Sequence, residues 1–190
     1  MIVRPAMVSA CLIATIVAGA WAQGHRPYGL GRPATEEEIA SLNHDAAPDG
    51  EGLPPGRGSV AQGQLIYQQQ CTSCHGPRGE GVPPAYPALT GRDPKGEGFP
   101  FGRDPKIPRT IGNYWPYATT LFDYIRRAMP LTASGALTND QVYAVTAYLL
   151  AADQVIPMTA VLDSAALVSL KMPYRDRFVP DNRRGGNDVK

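Results

Sequence analysis

Two cysteines and a histidine stand close enough in this sequence to act on one group: Cys71-Thr72-Ser73-Cys74-His75. A C-x-x-C-H run reads as a covalent haem attachment site. The spacing has a chemical reason. Thiols three residues apart lie one helical turn from each other, so each can add to a haem vinyl group as a thioether. The tethered ring then brings the iron within reach of the adjacent His75 imidazole. A methionine on the far face would favour ferrous iron and raise the potential, the arrangement of an electron carrier. Two other chemistries use the same residues. A redox dithiol belongs in βαβ surroundings, which the pattern here does not supply. A structural zinc site needs four ligands, and the remaining histidines, His25 and His44, lie in an irregular Pro/Gly-rich stretch.

The candidate sixth ligand is Met129. Ala118, Leu121, Phe122, Ile125 and Ala128 recur at helical spacing, which leaves Asp123, Arg126 and Arg127 on the outer face. Asp123 and Arg127 are an i,i+4 pair in the favourable order. Pro130 stops this helix immediately after Met129. Met158 and Met172 follow the last predicted helix instead. Downstream of the motif, Pro87-Ala88-Leu89 places Pro87 to offer its carbonyl to the second nitrogen of His75, a contact that would fix the ring.

Helices must position these groups. Ser59 to about Gln70 is the first, with Ser59 and Gln62 spaced as a capping box. Its Gly63 and Tyr67 share a face, the glycine admitting a close neighbour and the tyrosine covering the contact. Thr138 to about Ala152 is the last, again with a capping box from Thr138 and Gln141, and apolar nearly all round. Between Gly76 and Gly112 the chain reads as loop, and the pentapeptide Gly91-Arg92-Asp93-Pro94-Lys95 recurs as Gly102-Arg103-Asp104-Pro105-Lys106. Residues 23–58 hold many turn-formers, with one short helix expected from Thr35, and read as a wrap or a linker. Val161 to Leu170 suggests another short helix, and Lys171 to Lys190 a solvated basic tail.

The beginning of the 190-residue chain reads as an export signal. Arg4 precedes an apolar run from Met7 to Ala18, and Ala20-Trp21-Ala22 has the small-x-small form of a cleavage site. Cleavage near Ala22 would deliver the protein to the periplasm. Val8-Ser9-Ala10-Cys11 also resembles a lipoprotein box, although most of the apolar run follows Cys11. An uncleaved anchor is a further alternative, but the run falls short of the ~20 residues that span a bilayer. Cleavage removes Cys11, so no disulfide could staple the remainder, and the haem would serve as the centre of the core. A formal net charge of +1 gives no hint of nucleic acid.

Helix, C-x-x-C-H, Pro-x-Leu, Met-Pro and a final aromatic helix together resemble class I cytochromes c, from about Ser59 to Asp153. The resemblance implies an all-α fold around one haem c, with irregular N- and C-terminal extensions. It divides the chain into a signal peptide (1–22), an N-terminal extension (23–58), a cytochrome c domain (59–153) and a C-terminal extension (154–190). It also implies Cys71 and Cys74 as tethers, His75 and Met129 as axial ligands, and Pro87 and Leu89 as the Pro-x-Leu contacts. The first and last helices would cross at Gly63 and Tyr67 against Val145 and Tyr148.

A narrower likeness comes from the stretch Thr110 to Pro130, which reads TIGNYWPYATTLFDYIRRAMP. It is similar to cytochrome subunits that serve molybdenum-containing sulfite dehydrogenases and the sulfur dehydrogenase of the Sox system. Pro48-Asp49-Gly50, Gly52-Leu53-Pro54 and Met172-Pro173-Tyr174-Arg175-Asp176 resemble the flanks of those subunits. The stretch Gly91 to Pro108 is longer than in that group. The implied function is a periplasmic one-haem carrier, taking single electrons from a molybdenum dehydrogenase toward the respiratory chain and doing no bond chemistry itself. The same carrier could serve another dehydrogenase, such as one for alcohols. The competing reading is a haem enzyme or gas sensor with an open sixth position. The likeness suggests that Asp49 to Pro55 and Met172 to Val179 help to anchor the donor enzyme, so a chain cut after Asp153 is expected to keep its spectrum and potential but to accept electrons far more slowly. A tail that merely packs over the first helix would instead, when cut, lower stability and leave transfer unchanged.

Overall fold

In the computed structural model, which describes residues 31–92, 104 and 106–180, both capping boxes form as the spacing requires. Strand β1 (Arg57–Ser59) runs directly into helix α2 (Val60–Gln70), where Ser59 Oγ accepts from Gln62 N at 3.2 Å and Gln62 Oε1 accepts from Ser59 N at 2.9 Å. Ahead of it lies α1 (Glu36–Leu42), the short helix expected from Thr35. It is held from within by Arg32 and Thr35 on Glu38, and the Arg32 guanidinium pulls the Glu38 carboxyl down to about 2. The described residues fall into two units, one ending at Ile39 and the other beginning at Ala40. The second unit contains every element that follows. Among the described residues, no helix is long and apolar enough to cross a membrane.

Helix α3 (Thr72–His75) carries the Cys/His motif, α4 (Ile111–Tyr114) and α5 (Ala118–Ala128) follow the long loop, and α6 (Asn139–Ala152) is the central rod. Every residue of α6 from Val142 to Ala151 is buried, in keeping with its apolar circumference. It is gripped by α2 and β1 at Ala144. A Cβ on Gly63 would sit 1.8 Å from the Ala144 carbonyl oxygen, and one on Gly58 would sit 2.2 Å from the Ala144 nitrogen. Only glycine lets the two backbones approach this closely. One turn further, the Tyr67 and Tyr148 rings meet at 5.0 Å, so the expected crossing exists, centred on Ala144 rather than Val145. On the other side, Phe122 of α5 packs its ring 4.4 Å from that of Tyr143.

The sequence expectation for Asp123 is overturned. It is buried, because the N-terminal segment is an ordered wrap that crosses the outer face of α5. Asp123 Oδ1 accepts from Ala46 N at 2.9 Å and from Arg127 Nε at 2.9 Å, while Arg127 Nη2 meets Oδ2. The wrap is fastened twice more, by Thr119 Oγ1 donating to Pro48 O and Tyr143 Oη donating to Pro54 O. Burial alone would raise the Asp123 carboxyl, but the Arg127 guanidinium and the Ala46 N–H outweigh it and hold it below the usual range. A depressed carboxyl stabilises the fold fully above its unfolded value, near 4, and loses that contribution as pH falls through the folded value. Asp123→Asn should therefore lower stability at neutral pH and flatten its fall below about pH 4. Thermal unfolding across pH 2 to 7 reads both; an acid limb as steep as the parent's would contradict the assignment.

The C-terminal segment also departs from expectation. Val161–Asp163 is not helix but strand β2, antiparallel to β1 with Gly58 opposite Leu162. Among the described residues the two form a two-stranded sheet, each the other's strand partner. Helix α7 (Ser164–Ser169) follows, capped by Asp163, whose Oδ1 accepts from Ala166 N. The supposed solvated tail packs down as far as Phe178. Met172 is buried, the Arg175 guanidinium stacks 4.2 Å above the Tyr117 ring, and Phe178 meets Tyr114 edge-on at 5.5 Å. The signal segment, Cys11 and most of the doubled pentapeptide lie outside the described residues.

Candidate haem site

Tyr67 ends the apolar face of α2 and begins the site. Its ring is fully buried and its hydroxyl donates to Gly76 O at 2.9 Å, tying the helix to the residue just after the motif. Cys71 N bonds back to Tyr67 O at 2.9 Å, and Thr72 Oγ1 donates to the same carbonyl. Gly76 then turns the chain with φ of +77°, a conformation that favours glycine. The motif is thereby held as one short helix, α3, with Cys71, Cys74 and His75 all partly buried.

Neither Cys71 nor Cys74 is engaged in a disulfide. Burial, and behind it the neighbouring Cys74, pushes the Cys71 thiol up to about 11. A redox dithiol works by the opposite shift, a lowered value that exposes a thiolate nucleophile.

His75 Nδ1 lies 3.4 Å from Pro87 O, the pairing anticipated from Pro87-Ala88-Leu89. A carbonyl oxygen can only accept, so this contact calls for the ring proton on Nδ1, the tautomer that would leave Nε2 as the nitrogen for a metal. The loop that carries Pro87 is itself bonded to the motif. Gly81 N donates to His75 O at 2.8 Å, and Leu89 N and Thr90 N both donate to Gly79 O. Leu89, Cys71 and Met129 are each partly buried and packed against the hydrophobic core. Met129 terminates α5, its N–H bonded to Ile125 O and its backbone turned to extended geometry. Of its competitors, Met158 is 57 % exposed and Met172 is 1 % exposed within the core.

Two residues that the sequence reading did not single out belong to this neighbourhood. Tyr86 stands edge-on to His75, ring centres 6.3 Å apart, and the neighbouring Cys74 raises its phenol above the ordinary value. Val82 and Tyr86 exchange backbone bonds at 3.0 Å across Pro83-Pro84-Ala85, so the Pro-Pro pair was the available signal for a turn that returns Tyr86 to the motif. Asp153, at the end of α6, receives the backbone of the loop and is taken up below.

The residues fit a covalently held haem. Two partly buried cysteines outside any disulfide lie one turn apart, an imidazole sets Nδ1 against a backbone carbonyl, and a thioether ends an apolar-faced helix packed on the same core. Comparison with known proteins agrees. The family model described as cytochrome c matches residues 60–153. Among solved structures, a chain of the sulfane dehydrogenase SoxCD from Paracoccus pantotrophus is similar, with a TM-score of 0.70 and 38% sequence identity. That match covers 83% of this chain and 74% of the other. A search of curated proteins found no match. With that identity and coverage added to the site, the chain belongs to the cytochrome c family: it is a class I c-type cytochrome carrying covalent haem c, and an electron carrier.

Proposed function

We propose that this cytochrome accepts single electrons from a molybdenum-containing dehydrogenase of sulfur compounds in the periplasm and passes them toward the respiratory chain. One observation carries the reading. The likeness to the sulfane dehydrogenase chain covers 83% of this sequence, whereas residues 60–153 are only about half of it. The shared region therefore extends beyond the matched domain into the segments that flank it. Export follows from Arg4, the apolar run and the Ala20-Trp21-Ala22 site, with cleavage near Ala22.

In this reading Cys71 and Cys74 would tether the haem, and His75 and Met129 would be the ligands of its iron. The group supplies a reversible one-electron couple when bound. The protein does the rest. Pro87 O orients the His75 ring, and Tyr67, Leu89 and the α5–α6 core exclude water from the apolar side. Exclusion of water limits reorganisation on electron transfer and helps to set the potential.

Stopped-flow mixing of the oxidised cytochrome with a sulfite or sulfane dehydrogenase and its substrate tests the donor. Reduction at a rate that saturates with enzyme and weakens with salt is expected, as for a small, partly electrostatic contact. No reduction by the sulfur enzymes, with rapid reduction by an alcohol dehydrogenase, would reassign the donor. N-terminal sequencing of the exported protein should begin at Gln23.

A further inference from the structure

Asp153 is a carboxylate only 2 % exposed, at the C-terminal end of α6. A carboxylate so buried needs hydrogen-bond donors on its oxygens. Here all three described donors to them are backbone N–H groups. Gly91 N and Arg92 N donate to Oδ1 at 2.7 and 3.1 Å, and Gly112 N donates to Oδ2 at 2.5 Å. The Arg92 side chain turns elsewhere, Nη1 donating to the carbonyls of Asp153 and Gln154 that α6 leaves open at its end. One side chain thus grips the chain where it leaves Arg92 and again where it returns at Gly112. That is the neck of the long stretch that carries the doubled pentapeptide.

The neck is built into the haem-bearing loop. Ile111 N donates to Leu89 O at 2.8 Å, one residue from the Gly112 bond, and Thr90 Oγ1 donates to Arg78 O at 2.7 Å. Leu89 is two residues from Pro87, whose carbonyl faces His75 Nδ1. We propose that Asp153 is a positioning residue for the His75 imidazole: by pinning Gly91, Arg92 and Gly112, it fixes the segment that aims the Pro87 carbonyl. The proposal rests on His75 as the haem's proximal ligand. Its chemistry is specific to a carboxylate. An amide at this place offers one oxygen in place of two and sets its NH₂ against an N–H that already seeks an acceptor.

A firm Nδ1–H···O bond makes the imidazole a more basic ligand and favours ferric iron. Loosening it should raise the midpoint potential and expose the Nδ1 proton. The test uses the haem-loaded protein as parent, Asp153→Asn and Leu162→Ala, the last a core truncation in β2 that serves as a stability control. The readouts are unfolding temperature, midpoint potential and exchange of the His75 Nδ1 proton by NMR in the ferrous state. Both variants should unfold at lower temperature. Only Asp153→Asn should raise the potential and speed proton exchange, by tenfold or more. Unchanged potential and exchange in Asp153→Asn would overturn the positioning role and leave a purely structural one. If Asp153→Asn fails to mature, Arg92→Ala relaxes the same junction from outside. It should move both readouts in the same direction by less, and parent-like values there would also overturn the proposal. Loss of His75 ligation in the parent spectrum would instead refute the ligand assignment on which it stands.

Discussion

Met129→Ala should abolish the weak far-red sulfur–iron band of the oxidised protein and lower its midpoint potential by on the order of a hundred millivolts, a modest part of the roughly 0.8 V that axial ligation spans. A thioether stabilises ferrous iron, so its loss moves the couple toward ferric. The structure gives the assignment physical content. Met129 follows the last turn of α5, partly buried on the core that Cys71 and Leu89 also touch. Met158 stands in solvent, 57 % exposed, and Met172 is committed to packing. Met172→Ala should lower stability by about 2–5 kcal/mol, as deletion of a buried methionine side chain does, and leave the band in place. Retention of the band in Met129→Ala with its loss in Met172→Ala would reverse the assignment. A high-spin spectrum in the parent would favour the open-site enzyme reading instead.

What could be read in the sequence was whatever depends on local chemistry. C-x-x-C-H, the two capping boxes and the Gly63–Tyr67 pair each state their geometry within five residues, and each is found as expected. The contact of His75 with Pro87 spans twelve residues and was still legible, because it came with the family resemblance as well as with chemistry. What could not be read was how segments distant in sequence cover one another. Asp123 presents a polar residue on the polar side of a good amphipathic helix. Nothing within α5 announces that Ala46, 77 residues away, will donate to it. Val161–Asp163 has no alternation long enough to mark a strand, and becomes one only because β1 lies alongside. Asp153 looked like a mere helix end. Its three partners lie 41 to 62 residues upstream, and a carboxylate that binds backbone leaves no mark on the identity of the residues it binds.

The same long-range packing reverses the outcome expected for a chain cut after Asp153, which should not accumulate as haem-loaded protein. Such a cut removes β2 from its pairing with β1 and takes Leu162, Leu167 and Met172 out of the core. Truncation of a buried leucine or methionine costs about 2–5 kcal/mol, so three together approach the roughly 5–15 kcal/mol by which a domain is stable at all. The stacking of Arg175 on Tyr117 and of Phe178 on Tyr114 goes with them, which bares the entry to α5. Met172 is covered and so is unfit to dock a partner, and Leu53 in the N-terminal wrap is partly spent on the core in the same way. Any anchoring by these flanks must use their exposed members, such as Asp49, Glu51 and Val179. Two chains separate structure from docking, one ending at Asp153 and one at Pro180, expressed with haem maturation and compared for haem absorbance per protein and for thermal unfolding. The shorter should give little or no holo-protein while the longer matches the parent. A chain ending at Asp153 that unfolds cooperatively near the parental temperature would show that the tail is dispensable to the fold, and would return it to a role in binding the donor.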